Sequence, residues 1–142
     1  MCTIQIRFLN ALRTSAVNKA TDNELTSNVI GAAIEVHRAL GPGLLETAYQ
    51  SCLSHELGLR DIPFKEQQPL PVRYKGRELD CGYRLDFVVA DELVLEIKAV
   101  EKLLPIHEAQ LLTYLRLGGW HTGLLLNFNV PLLRQGIRRF VL

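Results

Sequence analysis

Cysteine is scarce in this 142-residue chain. The three present, Cys2, Cys52 and Cys81, are odd in number and stand at no metal-ligand or redox-motif spacing. That argues against a disulfide framework or a zinc module and fits reduced thiols in a cytoplasmic protein. No apolar run approaches membrane-spanning length, so no membrane partner is expected. An excess of charge is missing too: the net charge of +1 gives no global pull toward a polyanion, and nucleic-acid binding would need a local basic patch. Internal repeats, low-complexity tracts and a second domain are absent, and the length suits one domain with a sizeable core. Met1 to Thr21 lacks acids and carries Arg7, Arg13 and Lys19, a faint transit-peptide character. Arg7, Asn10 and Arg13 interrupt its apolar stretch, which argues against a secretory signal. Residues 1–23 are expected to be a loosely ordered N-terminal extension, leaving 24–142 as the domain.

What is present centres on Tyr83 to Val100. Tyr83–Val89 and Leu93–Val100 have strand length and β-branched or aromatic enrichment, with Ala90-Asp91-Glu92 as the turn between them. A three-residue loop makes residues whose numbers sum to 182 face each other. Tyr83, Leu85, Phe87, Val89, Leu93, Leu95, Ile97 and Ala99 then share an uncharged face. Arg84, Asp86, Val88, Val94, Glu96, Lys98 and Val100 share the other, with Asp86 opposite Glu96. A two-residue loop would mix charge into the core face, so the pattern selects the register. Two carboxylates ~4 Å apart repel by ~4 kcal/mol at an effective dielectric of about 20. Lys98 relieves part of that. An ordinary surface Glu/Lys pair is the bland alternative, but Val88, Val94 and Val100 flank the charges, and charges held among apolar neighbours usually have a partner or a task.

Around this hairpin, Thr26 or Ser27 is expected to cap a helix running to Leu40, with Val29, Ile30, Ala33, Ile34, His37 and Leu40 as its apolar stripe. His37 on that stripe reads as a hydrogen-bonded core histidine. Gly41-Pro42-Gly43 ends the helix. A second helix runs from about Leu44 to Leu57, burying Leu45, Ala48, Tyr49, Cys52 and Leu53, with Glu46 in its first turn, where the helix dipole alone would favour an acid. Asp61–Pro71 reads as a proline-punctuated loop, Val72–Tyr74 as a strand at a sheet edge or strand entrance, and Lys75-Gly76 as a turn. Pro105 suits the first position of a third helix ending at Gly118-Gly119. On it His107, Gln110 and Tyr114 share a stripe apart from Leu111, Leu112 and Leu115. His121–Phe128 reads as a buried strand parallel to an inner one. Pro131–Gln135 reads as a helical turn and Ile137–Leu142 as a last strand or short helix, with Arg134, Arg138 and Arg139 on a solvated face.

The resulting order is a helix with Glu46, a strand, a strand with Asp86, a strand with Glu96-x-Lys98, a helix with Gln110, and a strand. It resembles the αβββαβ core of the PD-(D/E)xK nuclease superfamily. Within it, Gly43-Leu44-Leu45-Glu46-Thr47-Ala48-Tyr49 resembles the signature of the GxxExxY protein family. Glu35–Gly43, Leu79–Asp86 and Leu104–Gln110 fit that family as well, and the likeness spans Glu24 to Leu142. Gln110-x-x-x-Tyr114 is similar to the motif of RecB-like nucleases. Leu85 stands where the superfamily motif has proline, a position that does not touch metal chemistry. The resemblance implies a single-domain restriction-endonuclease-like α/β fold, with a mixed central sheet flanked by helices. It also implies a Mg²⁺-dependent nuclease (Mn²⁺ as substitute) hydrolysing phosphodiesters of DNA or RNA. Asp86, Glu96 and the Ile97 carbonyl would ligate the metal, and Glu46 would complete the shell directly or through water. Lys98 would position the attacking water and offset transition-state charge, while Gln110 and Tyr114 would orient the strand or the water. The rival reading is a catalytically silent nuclease-fold module that binds nucleic acid or a protein partner. A homodimer would extend the basic surface that one copy lacks.

Overall fold

The computed structural model describes residues 15–142, with side chains from residue 23 onward. Its elements are α1 (Ser15–Leu40), α2 (Glu46–Leu59), β1 (Phe64–Pro69), β2 (Val72–Tyr74), β3 (Arg77–Leu79), β4 (Arg84–Val89), β5 (Leu93–Lys98), α3 (Pro105–Gly118), β6 (Thr122–Asn127), a 3₁₀ turn (Leu133–Gly136) and β7 (Ile137–Val141). Helix α1 begins well before the cap expected at Thr26 or Ser27. Of the expected N-terminal extension, residues 1–14 lie outside the described residues.

Five strands form one sheet in the order β1-β4-β5-β6-β7, and β2-β3 form a separate two-stranded hairpin. Strand β5 pairs antiparallel with β4 and parallel with β6, across the crossover made by α3, so the sheet is mixed. This is the expected single-domain α/β architecture. Phe87 faces Leu95, Val88 faces Val94 and Val89 faces Leu93, the register that kept charge out of the core. Ala90 and Asp91 take the left-handed conformation in the loop, and the Glu92 N–H closes it onto the Val89 carbonyl at 3.0 Å.

One strand was not legible. Phe64–Pro69 pairs antiparallel with β4 as an edge strand, although the sequence reads there as loop. Its segment Lys65-Glu66-Gln67-Gln68 has no apolar alternation, because an edge strand half in solvent does not require any. The first strand of the αβββαβ core is therefore β1, and β2-β3 is an excursion between β1 and β4.

The sheet separates two apolar layers. On one side α1 and α2 deliver Val29, Ala32, Ala33, Val36, Tyr49, Leu53 and Leu57 onto Phe87, Val89, Leu93, Leu95, Ile97, Leu124 and Leu126. On the other, α3 sets Leu111, Tyr114 and Leu115 against Val88, Val94 and Leu125. The alternation along β5 and β6 accounts for this division. Strand β4 departs from it: Leu85, expected beside Phe87, packs in the α3 layer, and the Tyr83 ring lies 5.9 Å from that of Tyr114. The cause is local. The β1–β4 register pairs Glu66 with Phe87 and Gln68 with Leu85 but skips Gln67 and Asp86, and Gln67 has a left-handed φ of 48°. Such an irregularity re-aims side chains on either side of it.

His37 is the expected core histidine, its Nε2 2.8 Å from the Val130 carbonyl. Leu45, expected to be buried, is 78% exposed, because helix α2 starts only at Glu46 and Leu45 is the extended residue before it. Tyr49 does more than fill the core. Its ring stacks on Phe128 at 4.5 Å, and its hydroxyl donates to the Gly41 carbonyl (2.6 Å) and accepts from the Leu44 N–H (3.2 Å). It thereby pins the Gly41–Leu44 loop that delivers Glu46. Tyr49→Phe keeps the stacking and removes both hydrogen bonds, so thermal unfolding should show a loss of about 1–2 kcal/mol. An unchanged melting temperature would show that the loop holds itself.

Candidate metal centre and active site

The β4–β5 backbone pairing stops at Phe87 and Leu95, and the next two residues continue it through their side chains. The Asp86 N–H donates to Glu96 Oε1 at 3.3 Å, and the Ile97 N–H donates to Asp86 Oδ2 at 2.8 Å. The charge of Asp86 also acts on Glu96. Each acid therefore satisfies a backbone donor of the opposite strand. Alternation along β5 puts Glu96 on the α3 side with Val94, and the charges of both acids act on Tyr114 of α3.

Burial sets the electrostatics. Glu96 is 7% exposed. Desolvation, and then the charge of Asp86, push its pKa up to about 8, against the opposing effects of the Asp86 N–H and Lys98. Asp86 is also raised, by burial first; the Ile97 N–H and Lys98 oppose this and the charge of Glu46 adds to it. Both groups therefore hold a proton more tightly than free carboxyls do. A buried carboxyl beside a half-buried one, both with oxygen donors, matches what a hard divalent ion binds.

Of the other expected residues, Glu46 is the first residue of α2 and acts on Asp86 through its charge. Among the described residues no three His, Cys, Asp or Glu side chains are grouped closely enough to hold a metal ion. Lys98 ends β5, half-buried, and its charge acts on both acids. Ile97 presents its N–H to Asp86 and its side chain to the opposite layer. Gln110 donates from Nε2 to the Tyr114 hydroxyl at 2.7 Å. Tyr114 is buried, and its hydroxyl is shifted above the usual tyrosine range by desolvation and by the charge of Glu96, so it stays protonated and can donate. His107, on the same expected stripe, is not part of this group: its Nδ1 accepts the Leu104 N–H at 3.0 Å and caps α3.

Sequence reasoning missed two residues that shape the site. Asn127 is buried at the end of β6, where its Oδ1 accepts the Val100 N–H (3.0 Å) and its Nδ2 donates to the Val100 carbonyl (2.9 Å). With the Phe128 N–H bonded to the Lys98 carbonyl (2.9 Å), it fixes the chain just beyond Lys98. The signal was a lone amide inside an apolar strand. Tyr83 is the second, assigned to the core and found 44% exposed beside Tyr114.

The raised Glu96 gives a pH dependence of definite sign. Folding lifts its pKa from 4.5 to about 8, so the folded chain binds the extra proton. The stabilisation is complete below about 4.5 and is lost as pH rises through about 8. In EDTA, the melting temperature should fall from pH 6 to pH 9, and Glu96→Gln, which keeps the acceptor for Asp86, should flatten that fall. Equal slopes in both proteins would mean that Glu96 ionises freely.

A family model of the PD-(D/E)XK nuclease superfamily matches residues 23–140. No curated protein and no solved structure matches the chain. The match takes in both layers of the core, the Asp86–Glu96 pair, Lys98 and the Gln110–Tyr114 pair, and on that extent this chain belongs to the PD-(D/E)XK nuclease superfamily.

Proposed function

We propose that the protein is a divalent-metal-dependent nuclease that hydrolyses phosphodiester bonds of DNA or RNA. The observation that carries this reading is the Asp86–Glu96 pair: a half-buried and a buried carboxyl tied to each other's strands by backbone hydrogen bonds, both raised in pKa, beside the charge of Lys98. Asp86 and Glu96 would hold Mg²⁺ or Mn²⁺, with the Ile97 carbonyl as a further oxygen and Glu46 outside them. A bound divalent ion supplies Lewis acidity toward the scissile phosphate and neutralises the acids. The chain's own groups do the rest. The Lys98 ammonium offsets negative charge that grows on the phosphate in the transition state. Gln110 spends a donor on the Tyr114 oxygen, leaving the Tyr114 O–H free to donate to a phosphate oxygen or to orient the attacking water. The run Gly43 to Tyr49 supports the narrower GxxExxY assignment, with Tyr49 holding the loop that presents Glu46.

A second reading, a nuclease-fold module that binds without cutting, is favoured by the lack of a third close carboxylate among the described residues. One experiment separates the two. Single-stranded, duplex, branched and RNA substrates are incubated with Mg²⁺ or Mn²⁺, beside calorimetric metal titration. The nuclease reading expects cleavage that EDTA abolishes. Asp86→Asn should lose both metal binding and cleavage, and Lys98→Ala should keep metal binding while cleaving about 100-fold or more slowly. Absence of metal binding and of cleavage in the wild type would transfer the assignment to the binding module.

A further inference from the structure

The β2–β3 hairpin stands outside the main sheet and owes little to burial: Val72 is half-buried and the remaining residues from Arg73 to Leu79 are exposed. Two three-residue strands with no apolar face are not a stable unit by themselves. Its composition is as distinctive as its exposure. Between Val72 and Arg84 the chain carries four cations (Arg73, Lys75, Arg77 and Arg84) against two acids, in a protein of net charge +1. Among the described residues none of the four takes part in a salt bridge.

The tip is shaped for a cation. Lys75 and Gly76 both have positive φ, 49° and 77°, in a two-residue turn that ordinarily takes Asn-Gly. A lysine in that left-handed position is disfavoured by roughly 1 kcal/mol, and here it brings the ammonium 5.3 Å from the centre of the Tyr74 ring. Tyr74 is 61% exposed and is paired across the hairpin with Arg77. At the base, the Leu70 N–H bonds the Tyr83 carbonyl at 3.0 Å and closes the excursion. The half-exposed Tyr83 ring there lies against Tyr114, whose hydroxyl feels the charges of Glu96 and Asp86. Basic residues and exposed aromatic rings thus alternate along the excursion, and its base at Tyr83 adjoins Tyr114, on which the charges of both acids act.

We infer that this hairpin is a nucleic-acid-binding arm that delivers an unpaired strand to the Asp86–Glu96 site. The cations fit the phosphates, and the exposed Tyr74 ring, with Lys75 over one side of it, leaves its other side for a base that is free to stack, a combination suited to single strands rather than to a closed duplex. The inference rests on the nuclease reading for what happens at the site, but the arm's grip is a matter of binding alone.

The test is therefore run on the full chain with EDTA present, where no metal-dependent cleavage occurs, by fluorescence anisotropy of a labelled oligonucleotide as a single strand and as a duplex. The wild type should bind the single strand more tightly. Arg73→Ala/Lys75→Ala/Arg77→Ala should weaken it and lower the slope of log affinity against log salt by about 2. Tyr74→Ala should weaken it about tenfold with the slope unchanged. Cleavage by the same variants is assayed separately with Mg²⁺ restored, so that loss of catalysis and loss of grip are read separately. These arm positions are exposed, and a melting curve shared with the wild type confirms folding; Lys75→Glu gives an independent single-site reading. Unchanged affinity and slope in the triple variant, no binding by the wild type, or equal or tighter binding of the duplex would each overturn the inference.

Discussion

Two carboxyl groups that repel each other, one buried and one half-buried, are required to lie together because the backbone around them depends on both. Where the β4–β5 ladder gives out, Asp86 accepts the Ile97 N–H and Glu96 accepts the Asp86 N–H. A buried N–H without a partner costs about as much as a lost hydrogen bond, so the acids are structural members of the sheet as well as candidates for chemistry. Moving them apart would orphan the donors, and leaving them together leaves charge unmet. The raised proton affinities of both groups express that conflict; on the nuclease reading a divalent cation would resolve it.

The surrounding elements keep the conflict in place. Helix α2 brings Glu46 in on a loop tied down by the Tyr49 hydroxyl. Helix α3 presents the Gln110–Tyr114 pair, with Tyr114 buried against the apolar layer beneath the acids. Strand β6 grips the segment after β5 through Asn127 and the Phe128 N–H, which fixes where Lys98 leaves the sheet. Each contact uses a backbone group near a site residue, so position is set by the chain path and not by side-chain packing alone.

Much of this was legible because burial writes itself into sequence as period. The β4–β5 register followed from refusing charge on the core face, and Asp86 opposite Glu96 followed from the register. Helix α3 announced itself by Pro105 and Gly119, the latter in the left-handed conformation. What stayed hidden was whatever burial does not control. Strand β1 is an edge whose side chains face water, so its hydrogen bonds to β4 left no trace in hydrophobic pattern. The placement of Tyr83 and Leu85 was misread because period-two alternation assumes an unbroken ladder, and the irregularity at Gln67 and Asp86 breaks it there. Tyr49 looked like a core residue and is one; its second role lies in a hydroxyl whose partners are carbonyl and amide groups that no side-chain pattern records.

That same economy bears on the net charge, which looked like an argument against a polyanionic substrate. At physiological salt a charge is felt over about 8 Å, so the sum over the chain matters less than how it is distributed. Glu96 is buried near the end of β5 with Asp86 half-buried beside it on β4, and the cations of the hairpin are left exposed on a ribbon that the core does not need. On the nuclease reading, these are the two halves of one requirement. Carboxylates able to hold a metal ion repel the phosphate that the ion is there to activate. A substrate strand must then be held by positive charge placed far enough away not to neutralise the acids. A uniformly basic protein would also attract the strand but would compete with the ion for the carboxylates. Near-zero net charge with separated signs attracts the phosphate while leaving Asp86 and Glu96 in want of a cation.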